Sequence, residues 1–496
     1  MSQNTTPPTT NGAAGTDPQA AARAATNEAA GTSVEASRST GADILDWPQW
    51  IDGERVDSVS GQWRDVTNPA LRESVIARVP ASTVDDVERV VGAARRAFGG
   101  WAAQHFTRRA RPLALIADDI EAETEEFARL TALDTGNAIR TQARPEVASL
   151  VSLFRYFSGV AGESKGTTLP AGDDQLQYTR REPLGVVAAI LKLAEVCNRH
   201  LPAGVLNALT GRGAVIGDAL AKHPGVDKVS FTGSTEVGRG VAAQAGERLA
   251  HMSMELGGKN PSIVFPDAVD DQLVDQLLLA SRFARQGQSC TAGSRLFIHR
   301  EVYDEVLSEL VPRLGAMKVG DPLEEASDMG AVINAKQHAG ITGYLDEGRS
   351  MGGLETLLGG SAPTEGELTR GFYHVPTVFG GGRNDFRLAR EEIFGPVLMA
   401  IPFDTREEVI EMANDTHFGL AAYVFSHDLD RALDTAHSLQ AGWVQVNQGG
   451  GQVVGQTYGG YKQSGMGREV SLEGMLEGFT QTKQINVKLR PSSTRS

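Results

Sequence analysis

The sequence predicts an α/β protein with doubly wound, mostly parallel sheets. From about residue 184 onward, short apolar segments alternate with helical ones, as in GAVIGDALAKHP, VDKVSFT and STEVGRGVAAQAGERL. Strands that alternate with helices in this way form parallel sheets. The chain has 496 residues, too many for a single hydrophobic core, so two or three domains are expected.

Composition excludes several classes of function. The apolar fraction of 41% and the charged fraction of 22% are typical of a soluble globular protein. A net charge of -15 without any block rich in Lys and Arg argues against a nucleic-acid partner, and no apolar run is long enough to span a bilayer. The two cysteines, Cys197 and Cys290, form no CxxC pair, so no metal site is expected and a reducing, cytoplasmic location is predicted.

The first 44 residues differ from the rest of the chain. They are rich in Ala, Thr, Ser and Gly and nearly lack large apolar side chains, so burial cannot offset their ordering entropy and a disordered tail is predicted over 1–44. A transit peptide and an overlong start of the chain are the alternatives.

Ordered structure is predicted from Trp47 onward. The segment QWIDGERV is typical of a hairpin with Asp52-Gly53 at its turn. ASTVDDVERVVGAARRAF has apolar residues at helical spacing, with Ser82 or Thr83 as the cap. More helices follow to about residue 160, and QYTRREPLGVVAAI is then predicted to be a strand.

The junction after that strand lacks a connection. A parallel strand that enters a helix needs a loop, yet no Gly, Pro, Asn or Asp lies between Gly185 and Asn198. The apolar strand ending at Ile190 therefore runs directly into the predicted helix LKLAEVCNRHL. A segment is expected to be missing near residues 190–194.

Two glycine-containing motifs follow. FTGSTEVG, residues 231–238, joins a strand to a helix, where Gly233 permits a tight turn and the helix start offers N–H groups to a phosphate. An ordinary βα turn explains this spacing equally well. In MELGGKNPSIVF, Glu255 ends a strand, where open α/β sheets bind ligands. The alternative is a solvated glutamate.

Two further motifs contain candidate reactive groups. In GQSCTAGSR, Cys290 has small and polar neighbours, which suit an accessible thiolate, and it follows a helix with Leu273, Leu277, Ala280 and Ala284 on one face. A buried, inert thiol is the alternative. Cys197 is interpreted as an ordinary helix-face cysteine. The last motif is EEIFGPVLMAIPF, residues 391–403.

Together the four motifs resemble the signature set of the NAD(P)-dependent aldehyde dehydrogenase superfamily, from Trp47 to Leu489. WIDGE, NPA at 68–70, EPLGVV and GGYKQSGMGRE at 459–469 strengthen the resemblance. It implies an aldehyde dehydrogenase-like fold with three parts. These are an incomplete Rossmann-type cofactor domain over 45–257, a catalytic domain over 258–463, and a small oligomerisation arm formed by a strand at about 165–183 and one within 464–496.

The resemblance also implies roles for individual residues. Cys290 is the expected nucleophile, and Glu255 is expected to activate the water that hydrolyses the thioester. Glu392 is expected to hold the nicotinamide ribose and Phe394 to pack near the nicotinamide. Ser234 is the expected pyrophosphate contact, with Gly233 allowing close approach. The cofactor is therefore expected to be NAD, with NADP as the alternative.

Tyr458 lies in GGGQVVGQTYGG, residues 449–460, which matches a loop at the family's substrate channel. A tyrosine there can line the pocket and donate a hydrogen bond, which hints at aromatic or oxygenated aldehydes. The alternative is a loop tyrosine that faces water.

The family pattern breaks at the junction described above. Roughly 35 residues, about one βαβ crossover, are missing, and with them the asparagine that donates to the developing oxyanion. Loss of one such donor costs roughly 10²–10³ in rate, and an opened sheet predicts weak NAD affinity. KLAE resembles the family's ribose-binding K-P-[SA]-E, so Lys192 and Glu195 are candidate ribose contacts. Alternatively, KLAE arises where the family's KLAP helix is joined to its later AEVC helix.

The expected function is oxidation of a small-molecule aldehyde to a carboxylic acid by a homodimer or homotetramer, impaired by the missing segment. Three alternatives stay open at this point: a cofactor-independent esterase, a non-catalytic pseudoenzyme that retains oligomerisation, and a deletion product that folds poorly.

Overall fold

A computed structural model describes residues 45–185 and 191–489 of the chain. The predicted disordered tail at 1–44 and the end of the predicted strand at 186–190 lie outside the described residues.

The described α-helices occupy both halves of the chain. In chain order they are α1 Val84–Ala102, α2 Phe106–Ala122, α3 Thr124–Thr135, α4 Arg144–Gly159, α5 Leu191–Asn198, α6 Asp218–Lys222, α7 Thr235–Glu247, α8 Leu273–Ser281, α9 Tyr303–Gly315, α10 Ala335–Ser350, α11 Arg387–Arg390, α12 Arg406–Asn414, α13 Leu429–Ser438 and α14 Leu472–Phe479. Short 3₁₀ or π turns cover Ile139–Ala143, Ala161–Glu163, Gly213–Gly217, Pro266–Ala268, Phe283–Arg285, Arg300–Val302, Glu367–Arg370 and Lys462–Ser464.

The described strands form five sheets. In chain order they are β1 Leu45–Asp46, β2 Gln49–Ile51, β3 Glu54–Val56, β4 Trp63–Asn68, β5 Leu71–Pro80, β6 Thr168–Leu169, β7 Gln175–Pro183, β8 Lys228–Thr232, β9 His251–Glu255, β10 Pro261–Val264, β11 Arg295–His299, β12 Glu355–Leu358, β13 Thr377–Gly380, β14 Val397–Phe403, β15 Ala421–Phe425, β16 Trp443–Val446, β17 Gly465–Met466 and β18 Thr480–Lys488.

The largest sheet has seven strands in the order β12-β13-β14-β11-β10-β15-β16. Its strands pair in parallel except at the β12 edge, which is antiparallel, so the predicted mostly parallel sheet is confirmed. Alternate side chains enter two different hydrophobic clusters: Val264 and Leu296 point to one face of the sheet, Ile263 and Phe297 to the other. Both faces are therefore covered, which explains the continuous apolar runs in these strands.

A second sheet, β17-β9-β8, lies beside the FTGSTEVG and ELGGK motifs. β8 and β9 pair in parallel, and Thr232 is opposite Glu255. β17 pairs antiparallel with β9 through Gly465 and Glu255. Glu255 is thus the last residue of the middle strand, and its backbone is held on both sides.

The strands of the predicted arm, β7 and β18, form a three-stranded sheet together with β6. β7 and β18 pair antiparallel over nine residues, from Thr480 opposite Pro183 to Lys488 opposite Gln175, and β6 pairs with β7 on the other side. Most side chains of β18 are exposed. The two strands predicted to form an arm therefore lie together within one chain.

Most local predictions are confirmed, including the hairpin β2–β3 and the helix α1. One is wrong: Ala284 is not part of the helix before the GQSC motif. α8 ends at Ser281 because Arg282 adopts a left-handed backbone with φ of 58°. Among residues 45–185 and 191–489, none of the helices combines the length and hydropathy that a bilayer crossing needs.

Candidate active site

The loop that carries Cys290 is tightly bent. After α8, the residues Arg282, Gln286 and Gly287 all have positive φ angles, and only glycine adopts this conformation without strain. A Cβ atom on Gly287 would lie 2.0 Å from the carbonyl oxygen of Gly395. The bent loop therefore packs directly against the turn that contains Phe394, and brings the GQSC and EEIFGP motifs together.

The side chain of Asn260 braces the backbone of Cys290. Its Nδ2 donates to the carbonyl oxygens of Cys290 at 2.8 Å and Ala292 at 2.9 Å, and its Oδ1 accepts from the Ala421 N–H at 2.9 Å. A Cβ on Gly258 would lie only 2.3 Å from the Cys290 carbonyl oxygen. Asn260 was not among the residues predicted from the sequence, although it lies within the ELGGKNP motif.

Asn260→Ala is expected to lower the free energy of unfolding by about 2 kcal/mol or more, because buried backbone groups lose their partners. Urea denaturation measures this, and the rate of Cys290 alkylation should change with it. Asn414→Ala is the matched control, since Asn414 also bonds two backbone groups, those of Ser438 and Gln440. Equal alkylation rates in wild type and Asn260→Ala would contradict the bracing role.

The Cys290 thiol is half-buried, and its surroundings are mostly acidic. Burial raises the pKa of the thiol, and the carboxylates of Glu392 and Glu255 raise it further. A hydrogen bond with the Tyr458 hydroxyl, 3.4 Å from Sγ, and the guanidinium of Arg285 lower that pKa. Arg285 is itself ion-paired with Glu146. A thiolate at Cys290 therefore depends on these donors and cations.

Glu255 is buried, with 5% of its surface exposed, so its interpretation as a solvated glutamate is wrong. Within the described residues, neither carboxylate oxygen has a hydrogen-bond partner. Burial, reinforced by Glu469 and opposed by Arg468, raises the pKa of Glu255 to about 8. A carboxyl group with this pKa exchanges protons near neutral pH, as a general base must.

Glu392 reaches the glycine pair that follows Glu255. Its Oε1 accepts the Gly258 N–H at 2.9 Å, and a Cβ on Gly257 would lie 2.3 Å from Oε2. Burial raises the pKa of Glu392, whereas the Gly258 N–H and Lys259 lower it. The glycines at 257 and 258 thus leave room for Glu392 on one side and for the Cys290 backbone on the other.

Phe394 is partly exposed and has a left-handed backbone, with φ of 53°. This conformation is uncommon for a bulky residue and costs roughly 1–3 kcal/mol. Gln337 supports it by donating to the carbonyl oxygens of Ile393 and Phe394, each at 2.9 Å. The aromatic ring is therefore held at the surface beside the Cys290 loop by its neighbours.

Ser234 is the N-cap of α7, where its Oγ accepts the Val237 N–H at 3.4 Å. Gly233 precedes it, and its N–H donates to the carbonyl oxygen of Glu255 at 3.1 Å. A Cβ on Gly233 would lie 2.6 Å from the Phe231 ring. The exposed start of α7 is therefore linked through one backbone bond to the strand that carries Glu255.

Lys192 and Glu195 lie elsewhere, on α5. The Lys192 ammonium bonds Glu123 and Glu126 at 2.9 and 3.0 Å, and Glu195 pairs with Arg199 at 3.4 Å. Among the described residues, neither contacts Cys290, Glu255, Glu392 or Ser234. KLAE lies within the single helix α5, and ribose binding by Lys192 and Glu195 stays a prediction. Cys197, also on α5, is buried, which raises its pKa to about 12.

Tyr458 is buried, with 6% of its surface exposed, so the alternative of a tyrosine facing water is wrong. Its ring packs edge-on against Trp443, with ring centroids 6.1 Å apart. In the sequence, the one indication of its position was its place directly before Gly459-Gly460, where the family often has an aromatic residue. Its contact with Cys290, 168 residues away in sequence, was not predicted.

A sequence model of the aldehyde dehydrogenase family matches residues 56–192 and 189–485 of the chain. The two matches meet at residues 189–192, where a missing segment is expected. That deletion stays a prediction, because the match does not measure its length.

Solved structures of the same family superimpose on most of the chain. Betaine aldehyde dehydrogenase from Staphylococcus aureus, in complex with NAD+, is 33% identical with a TM-score of 0.86, covering 91% of this chain and 96% of its own. An aldehyde dehydrogenase from Bacillus cereus, also an NAD+ complex, is 33% identical with a TM-score of 0.86, over 90% and 97%. A Burkholderia cenocepacia protein assigned to the aldehyde dehydrogenases is 34% identical with a TM-score of 0.87, over 91% and 99%.

Proposed function

Because the chain belongs to the aldehyde dehydrogenase family, we propose that it oxidises an aldehyde to a carboxylic acid with NAD+ as the hydride acceptor. One observation supports this proposal above all. A half-buried thiol, Cys290, lies close enough to a buried carboxyl group, Glu255, for the charge of Glu255 to raise the pKa of the thiol. The two groups supply the nucleophile and the general base that the reaction needs.

In this mechanism, the Cys290 thiolate attacks the aldehyde carbon, an S–C bond forms, and the carbonyl π pair moves to oxygen. Bound NAD+ would supply the acceptor for the hydride of this thiohemiacetal, and Cys290 would then carry a thioester. Glu255 then takes a proton from a water molecule, whose oxygen attacks the thioester carbon. The C–S bond breaks, the carboxylic acid leaves, and Cys290 returns as the thiolate.

Several described residues fit such a cofactor. The exposed N-terminus of α7 offers N–H groups and the Ser234 hydroxyl to a pyrophosphate. Glu392, with its second oxygen beside Gly257, can accept from a ribose hydroxyl, and the partly exposed ring of Phe394 can pack against a nicotinamide. The choice of NAD over NADP is supported by the NAD+ complexes of the relatives.

Ser234→Asp is expected to weaken NAD+ binding at least about tenfold, equivalent to about 1.4 kcal/mol, because a carboxylate would repel the pyrophosphate. Asp is as good an N-cap as Ser, so the melting temperature should hardly change. Thr405→Asp is the matched control, since Thr405 caps α12 in the same way. Calorimetric titration with NAD+ measures both variants, and equal affinities would contradict the assigned pyrophosphate site.

NADH formation from NAD+ and a panel of aldehydes tests the proposed activity directly. We expect turnover slower than in the Staphylococcus aureus relative, because the missing segment is proposed to have carried an oxyanion donor. No NADH from a folded chain that binds NAD+ would contradict the proposal. The NAD+ complexes of the relatives favour this activity over a cofactor-independent esterase and a non-catalytic scaffold.

We also propose that the chain assembles as a homodimer or homotetramer through the β7–β18 arm. The exposed side chains along this arm, among them Leu176 and Val487, support an interface, because exposed apolar groups favour association. The division into a cofactor domain over 45–257 and a catalytic domain over 258–463, and the cytoplasmic location, stay predictions.

A further inference from the structure

The hydroxyl of Tyr458 has one hydrogen-bond partner among the described residues, the sulfur of Cys290 at 3.4 Å. The rest of the residue is fixed independently. Its N–H and carbonyl oxygen exchange bonds with Glu469 at 3.1 and 2.8 Å, and its ring packs against Trp443. The position of the hydroxyl is therefore set by the backbone and the ring, without any second polar partner that could draw it away from Sγ.

The direction of the bond depends on the state of the cysteine. With a thiol, either atom can be the donor. With a thiolate, only the phenol carries a proton, so Tyr458 must donate. Burial and the negative charges of Cys290 and Glu255 raise the pKa of Tyr458, which keeps the phenol protonated. A permanently protonated, buried hydroxyl is a fixed donor aimed at the reacting atom.

The surroundings make such a donor necessary. Glu255 and Glu392 both oppose a negative charge on Cys290, and Arg285, which favours it, is ion-paired with Glu146. The hydroxyl of Tyr423, another phenol nearby, donates to the carbonyl oxygen of Thr291 at 2.8 Å. Among the described residues, Tyr458 is thus the one side chain that donates directly to Sγ.

We propose that the Tyr458 hydroxyl is a catalytic hydrogen-bond donor, which stabilises first the Cys290 thiolate and then the oxyanion formed when that thiolate adds to a carbonyl. As the S–C bond forms, the carbonyl π pair moves to oxygen, and the negative charge passes from sulfur to an oxygen on the neighbouring carbon. The proton stays on Tyr458 throughout. This role deepens the proposed function and rests on it.

The first test needs neither NAD+ nor an aldehyde. The rate of Cys290 alkylation by iodoacetamide, followed against pH, reports the formation of the thiolate. Tyr458→Phe keeps the ring and removes the donor, and is expected to move the midpoint upward by about one pH unit or more, since a hydrogen bond to a charged group is worth that much. Cys197 adds little background, because it is buried and has a pKa of about 12.

Two further variants separate donation from structural support. Replacement of Tyr458 by 3-fluorotyrosine, a stronger donor of nearly the same size, should lower the midpoint. Tyr303→Phe removes another phenol that is hydrogen-bonded to the backbone, at Ala400 and Gly381, and should leave the midpoint unchanged.

With aldehyde and NAD+, Tyr458→Phe should lower kcat by about 10², the scale for loss of one oxyanion donor. If the midpoint shifts as expected but neither the wild type nor any variant forms NADH, the donor role at Cys290 stands and the proposed function fails. If the midpoint is the same in wild type, Tyr458→Phe and the fluorotyrosine protein, the proposal is overturned, whatever happens to kcat.

Discussion

Cys290→Ala should abolish aldehyde-dependent NADH formation, with a loss of at least about 10⁴-fold, as expected when a covalent nucleophile is removed. No other thiol can replace it, because Cys197 is buried on α5 and its pKa is raised to about 12. The fold should survive, since Asn260 holds the loop through backbone carbonyl oxygens and not through the sulfur. NADH absorbance under saturating NAD+ measures the effect.

Cys197→Ala is the matched control for this experiment. It removes a buried thiol from the hydrophobic cluster around α5, so it should lower the melting temperature yet keep NADH formation. Retained turnover in Cys290→Ala, or its loss in Cys197→Ala at a temperature where that variant is folded, would contradict the assignment of the nucleophile.

Glu255→Gln has the second largest expected effect, a fall in steady-state turnover of about 10²–10⁴, the usual contribution of a general base. Formation of the thioester does not need this carboxylate, whereas its hydrolysis does. The variant should therefore release about one NADH per active site in a burst and then nearly stop. A slow reaction without a burst would place Glu255 before hydride transfer and contradict the assigned role.

The pH dependence follows from the pKa of Glu255, which is about 8 in the folded protein and 4.5 as its ordinary value. Only the deprotonated carboxylate can accept a proton from water, so hydrolysis of the thioester should accelerate as the pH rises through about 8. For stability the sign is opposite. A raised folded pKa means that the folded state holds the proton more tightly, and this stabilisation is lost as pH rises from about 4.5 to 8. Glu255→Gln should gain stability relative to wild type over that window.

The sequence predicted Cys290, Glu255, Glu392 and Ser234 because each lies in a motif with a resemblance to a known family. It did not predict the burial of Glu255, which depends on β17 and on the chain around Glu469, over 200 residues further on. The contact between Cys290 and Tyr458 could not be predicted from the sequence for the same reason. Such contacts depend on tertiary packing, for which local residue patterns carry no signal.

The end of α8 was missed for a local reason. Glycine and asparagine are the residues that usually indicate a left-handed backbone at a helix C-terminus. An arginine such as Arg282 gives no such indication. Its conformation is imposed by the surrounding loop, where the guanidinium donates to the carbonyl oxygen of Gly450 at 2.6 Å and to Tyr423 at 3.2 Å. The strained loop is also the one that carries the candidate nucleophile, as expected for a functional site.

If the chain oxidises aldehydes through a thioester on Cys290, as we claim, that thioester can be trapped. Glu255→Gln is mixed with NAD+ and benzaldehyde, quenched in acid, digested and analysed by mass spectrometry. We expect a benzoyl adduct on the peptide that contains Cys290, in a yield that matches the NADH released. NADH without an adduct on Cys290, or an adduct on another residue in matching yield, would contradict the claim.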